Sequence, residues 1–170
     1  RIASRYVPGG DSWEWLPIYG SWGEEVIAYG GQLIVAGSGV QAWNDSIAVA
    51  LGDIAGSVYS LTLFNGNLIA GGHPNMMSGG QYLNCIALWD GAHWSSLGDG
   101  LDNRVHALCV FNGDLIAVGQ FTQSGNVAVN RIARWDGNSW ECLGSGLNAT
   151  AYDLEVFGDD LYVGGSFTEA

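Results

Sequence analysis

A chain of 170 residues is one domain's worth of polypeptide, long enough to bury a substantial core. Its 17 acidic residues face only 5 basic ones, a net charge of −12 that repels phosphate backbones and excludes nucleic acid as a partner. No uninterrupted apolar run approaches membrane-spanning length, which excludes helical membrane insertion.

Arg1 opens the chain without Met or a signal segment, which reads as a mature or excised piece of something longer. Residues 1–16, RIASRYVPGGDSWEWL, read as two strands joined by a long turn at Val7–Gly10. Residues 22–52 follow, with strands at Val26–Tyr29 and Leu33–Gly37 and then the segment VQAWNDSIAVALG. That segment keeps one Trp at Trp43 but has Ala48 where later copies carry a second. Residues 57–98 contain strands at Val58–Phe64, Leu68–Gly72, Cys85–Asp90 and His93–Leu97, with a loop from His73 to Asn84. Residues 104–144 repeat the same order, and residues 151–167 give only its first two strands.

The copies are spaced regularly: CIALWDGAHWSSLG begins at Cys85 and RIARWDGNSWECLG at Arg131, a period of 46 residues. Each copy holds four short strands separated by Gly-containing hairpin turns such as Asn112-Gly113-Asp114 and Asp136-Gly137-Asn138. Strands this short and this apolar cannot bury both faces within one unit, so neighbouring units must stack. Four-stranded antiparallel units of this length stack most readily as propeller blades.

The double glycines Gly71-Gly72 and Gly164-Gly165, each closing a second strand, and the following aromatic-Asp and Trp resemble the kelch repeat. The pattern IARWDGxxWxxLGxGL…VFNGxLxxGGxFT is similar to repeats of secreted bacterial proteins and fungal cell-surface polarity markers. The resemblance spans essentially the whole chain and implies an all-β propeller at the cell surface or outside it. It says little about activity, because such repeats serve lectins, adhesins, scaffolds and a few enzymes.

The two ends are complementary. Residues 1–16 supply the strands that 151–167 lack, giving three whole units and one split one. The expectation is a single four-bladed domain over 1–170, its last blade closed by strands from both termini, which also removes exposed edges. A larger propeller, or terminal strands exchanged between subunits to give a dimer, ring or fibre, are the alternatives.

Residues that recur in every unit are explained by the fold, so the Trp series (Trp13, Trp43, Trp89, Trp94, Trp135 and Trp140) reads as packing between blades. Functional candidates are the places that break the pattern. On the innermost strand, Asp153 and Glu155 stand at i and i+2, on one face of the strand. Glu25 lies in the same column as Asp153. Such a cluster would suit Ca²⁺ or acid–base work, and carboxylates reaching solvent at a channel mouth are the plainer reading. The loop with His73, Met76, Met77 and nearby Tyr82 would suit a protein or glycan surface, or be simply variable. Trp15, Tyr19 and Trp22 would form a sugar-stacking platform, an interface patch or local packing.

The three cysteines, Cys85, Cys109 and Cys142, are odd in number and read as buried thiols rather than a disulfide framework. Sequons occur at Asn44-Asp45-Ser46 and Asn148-Ala149-Thr150. His73, His93 and His106 lack metal-ligand spacing, and His106 stands in the column of Tyr59 and Tyr152 as an aromatic substitute. No nucleophile elbow, P-loop or CxxC is present, so no catalytic residue is assigned. The expected role is therefore a non-enzymatic extracellular or surface module holding protein or glycan partners, or copies of itself, with no cofactor beyond Ca²⁺. The alternative is a lectin-like protein, or a glycosidase pairing Asp153 with Glu155 or Glu25.

Overall fold

The computed structural model describes residues 4–7, 12–15, 25–44 and 47–170, the first two segments as backbone only. The described residues are all-β, and every named strand pairing is antiparallel.

The chain begins with the hairpin β1 (Ser4–Val7) and β2 (Ser12–Trp15), which pairs Tyr6 with Trp13 and Arg5 with Glu14. The first four-stranded sheet holds β3 (Val26–Tyr29), β4 (Gln32–Gly37), β5 (Gly39–Trp43) and β6 (Ala48–Ala50) in chain order. In the second sheet, β7 (Val58–Phe64) and β8 (Asn67–Gly72) come first. A small hairpin, β9 (Met77–Ser78) with β10 (Gln81–Tyr82), precedes β11 (Ile86–Trp89) and β12 (Trp94–Ser96). The third sheet repeats this with β13 (Val105–Phe111), β14 (Asp114–Gly119), the small hairpin β15 (Gln123–Ser124) and β16 (Val127–Ala128), then β17 (Ile132–Trp135) and β18 (Trp140–Cys142). A two-stranded sheet, β19 (Ala151–Phe157) with β20 (Asp160–Gly165), follows it.

Why the sheets stack is visible in the strand β8. Leu68 and Ala70 are buried against the first sheet, while Ile69 belongs to the apolar cluster shared with the third. On β14, Leu115 and Ala117 face back and Ile116 and Val118 face forward. A strand with both faces covered reads as a continuous apolar run, as LIA and LIAV do here. The core of the described residues is thus three layers between successive sheets, each built from alternate residues of its neighbours, and a small fourth cluster of Val35 and Trp43 on the other face of the first sheet.

The glycine kept at one corner of each unit shows how tightly the layers fit. A Cβ on Gly98 would lie 2.5 Å from the ring of Trp135, and one on Gly52 equally close to Trp89. Both glycines have positive φ, so the turn and the close approach demand the same residue.

The expected joining of the termini is not seen. β1–β2 and β19–β20 stand as two separate two-stranded sheets, and among the described residues no strand lies beyond β20. Among the described residues β20 pairs only with β19, and its Tyr162, Gly164 and Gly165 are exposed.

Candidate functional site

Inner strands β7, β13 and β19 each carry a register shift against their partner: between Val58 and Ser60, between Val105 and Ala107, and between Ala151 and Asp153. The extra residue is Tyr59, His106 or Tyr152, and a bulge re-aims the side chain it carries. These three rings stack from sheet to sheet, with centroids 6.0 Å apart for Tyr59–His106 and 5.5 Å for His106–Tyr152. His106 therefore stands in for an aromatic ring, as the sequence column implied. Burial, and then the charge of Arg104, hold its imidazolium below the ordinary histidine range.

The amide that follows each bulge takes a side-chain acceptor. Leu61 N donates to the Glu25 carboxylate, and Leu108 N donates to Ser60 Oγ at 3.1 Å. Ala107 offers no acceptor in that column, and Leu154 N is met by its own neighbour, Asp153 Oδ1, at 2.9 Å. Two of the three carboxylates expected to form a cation or acid–base cluster are thus engaged by backbone. Glu155 is exposed, and its charge helps push the Cys109 thiol up to about 11, burial being the larger cause. Among the described residues, no group of three or more His, Cys, Asp or Glu is placed to hold a metal.

The His73–Asn84 loop is less exposed than expected. Met76 is fully buried in the layer between the first two sheets, which corrects its reading as a surface contact. Its neighbour Met77 is half-buried and pairs across the small hairpin with Tyr82, which is 65% exposed. The ring of His73 accepts from Asn75 N at Nδ1 and meets Arg104 Nη2 at 3.2 Å through Nε2. Asp53 receives Ser78 Oγ and Gly79 N, bonds that hold its carboxyl below the usual range and lash the hairpin to the preceding sheet. Beside Tyr82 lies a polar cavity of about 280 Å³, lined also by Asp99 and Asp102. Asp102 there is committed to Thr122 and Gln123. Trp15 is described only as backbone, and Tyr19 and Trp22 lie outside the described residues.

Cys85 is buried, its thiol pushed up to about 12 by burial, and Cys109 and Cys142 are half-buried; all three are free. In the second sequon, Asn148 Nδ2 donates to Thr168 Oγ1 and its carbonyl accepts from Thr168 N, so the amide pins the C-terminal segment.

One concave, largely apolar surface was not among the sequence candidates. It opens between the third sheet and β19–β20, has a volume of about 610 Å³, and is lined by Phe111, Ile132, Leu143, Leu147, Val163 and Phe167 among others. Its meaning comes from the two layers before it. Trp94 Nε1 donates to the Leu51 carbonyl at 2.7 Å, and Trp140 Nε1 donates to the Leu97 carbonyl at 2.9 Å. Leu51, Leu97 and Leu143 are spaced by the same 46 residues, and so are Gly52, Gly98 and Gly144. A Cβ on Gly144, unlike the other two, would meet nothing within 4 Å. The third corner thus repeats the leucine and glycine of the first two without a ring over the glycine.

No family model matches this chain, and no curated protein matches it.

Proposed function

We propose that the stacked units are blades of a kelch-like β-propeller, four in number with the fourth divided between the terminal hairpins. In this reading the protein is a non-enzymatic extracellular or cell-surface module for binding and assembly. The observation that carries it is the open end: a two-stranded sheet with an unpaired edge beside an apolar socket that repeats the leucine–glycine corner without a ring over the glycine. An exposed apolar site of that kind marks an interaction surface. A chemical role has no comparable support, since the axial acids Glu25 and Asp153 serve backbone amides.

Partners are protein, glycan or further copies of this chain, and the acidic surface disfavours nucleic acid. The test is a light-scattering dilution series run beside a glycan titration followed by tryptophan fluorescence. Assembly predicts a mass that rises with concentration and a fluorescence that glycans leave unchanged. A fixed mass together with glycan hydrolysis abolished by Asp153→Ala would replace this reading with the carbohydrate-active one.

A further inference from the structure

Each filled socket takes an aromatic pair from the next unit's outer hairpin. Trp89 stands opposite Trp94 in β11–β12, and Trp135 opposite Trp140 in β17–β18, with ring centroids 5.4 Å apart in both cases. One ring of each pair covers the glycine of the preceding unit, and the other donates its indole N–H to the leucine carbonyl beside that glycine. The hairpin β1–β2 repeats the arrangement: Tyr6 stands opposite Trp13, and Arg5 opposite Glu14. In β17–β18 the latter positions hold Arg134 and Glu141, which form an ion pair at 2.8 Å. The chain therefore carries one donor hairpin at its start and one vacant acceptor near its end.

Two observations bear on whose hairpin fills that acceptor. Among the described residues, β1–β2 pairs only with itself. In addition, the unit that begins with this hairpin lacks the standard joint to the first sheet. Leu16-Pro17 stands in the sequence where the other units have Leu51-Gly52, Leu97-Gly98 and Leu143-Gly144, and a proline cannot take the positive φ that those glycines hold. The first sheet, for its part, has Ala48 where the others present the donating indole. The joint between this hairpin and the first sheet thus lacks the glycine and the donating indole, and keeps of the aromatic pair only Trp43, buried with Val35.

Resting on the propeller reading above, we propose that the Leu143–Gly144 socket binds the 4–15 hairpin of a second copy. Trp13 donates to the Leu143 carbonyl, Tyr6 lies over Gly144, and the hairpin adds to the free edge of β20. The contact is head-to-tail, so it closes into a ring or runs on as a filament according to the rotation between copies. Backbone pairing gives the contact affinity, and the aromatic pair in its socket gives it register.

The experiment uses a donor variant, Trp13→Ala, and an acceptor variant, Gly144→Asn, in the full chain. Asparagine tolerates the left-handed backbone of Gly144 and places a Cβ where the incoming ring would sit. Circular dichroism establishes that each variant is folded. In analytical ultracentrifugation the parent chain is expected to show a mass above one chain that rises with concentration, and each variant alone a single-chain mass. An equimolar mixture is expected to form a two-chain particle, because it contains one intact donor and one intact acceptor. A mixture that stays at single-chain mass overturns the proposal. So does a parent chain that is one copy at every concentration, which instead means that the hairpin closes its own ring. Assembly that survives both substitutions also overturns it, while leaving the assembly function itself standing.

Discussion

The layer between the second and third sheets and the open end after the third are built from the same residues in the same order, yet they behave differently. Phe64, at the end of the second unit's inner strand, is 5% exposed; its counterpart in the third unit, Phe111, is half-buried; Phe157 in the last is 74% exposed. Leu97 is buried beneath Trp140, whereas Leu143, one period later, is only partly covered. Residue type does not decide burial here; the presence of a following sheet does. Stability in such a stack is a sum of units and nearest-neighbour contacts, and the last unit lacks half of its contacts.

The sharpest way to break the comparison is to remove the same aromatic group at both ends. Trp140→Ala is expected to cost about 3–5 kcal/mol in urea unfolding, because it empties a filled socket and leaves the Leu97 carbonyl with Gly100 N as its remaining donor. Phe157→Ala should stay within about 0.5 kcal/mol at concentrations where the chain is single, since it removes no buried contact. Equal costs would mean that the open end is covered in solution.

A subtler pair adds atoms instead. Gly98→Asn drives a Cβ into the Trp135 ring and is expected to cost roughly 1–3 kcal/mol. Gly144→Asn, with nothing within 4 Å, should change the melting of the isolated chain by less than about 0.5 kcal/mol. The inner column allows a third comparison. Ser60→Ala leaves the buried Leu108 amide without an acceptor and is expected to cost about 1–3 kcal/mol, although Ala107 is the native residue one unit later. The difference arises because Asp153 serves Leu154 there and no residue does so at Leu108.

The smallest effect is expected from pH. His106 is held below its ordinary pKa of 6.5 by burial and by Arg104, so the unfolded chain binds its proton first. Stability should therefore decline as pH falls from about 7 through 6.5 and level off once the folded histidine also titrates. In His106→Tyr, which matches Tyr59 and Tyr152, this part of the slope should vanish; thermal melts between pH 7 and 5 read it directly.

The sheets were largely legible in the sequence because strand length, Gly-bearing turns and the 46-residue period are local signals. The turn at Asp136 illustrates this, its carboxylate accepting from Asn138 N and Ser139 N at 2.8 Å and held below the usual range by Ser139 and Asn138. The small hairpins β9–β10 and β15–β16 were missed, since two-residue strands carry no periodicity. Met76 was misplaced because a Met in a polar loop looks the same whether it points out or plugs a layer. The carboxylates on the inner strands were seen but not their duty, since a bulge cannot be read from alternation. The socket at Gly144 was hidden for a different reason. A glycine's sequence context is the same beneath a ring and beneath open space, and only the geometry separates the two.

Because the leucine–glycine corner and the aromatic pair that fits it travel together on the second and third modules, a gene encoding such a chain can gain or lose modules of that kind by duplication or deletion. Each new boundary would inherit a working joint without compensating mutations. Variation in the number of copies is then the easy evolutionary move.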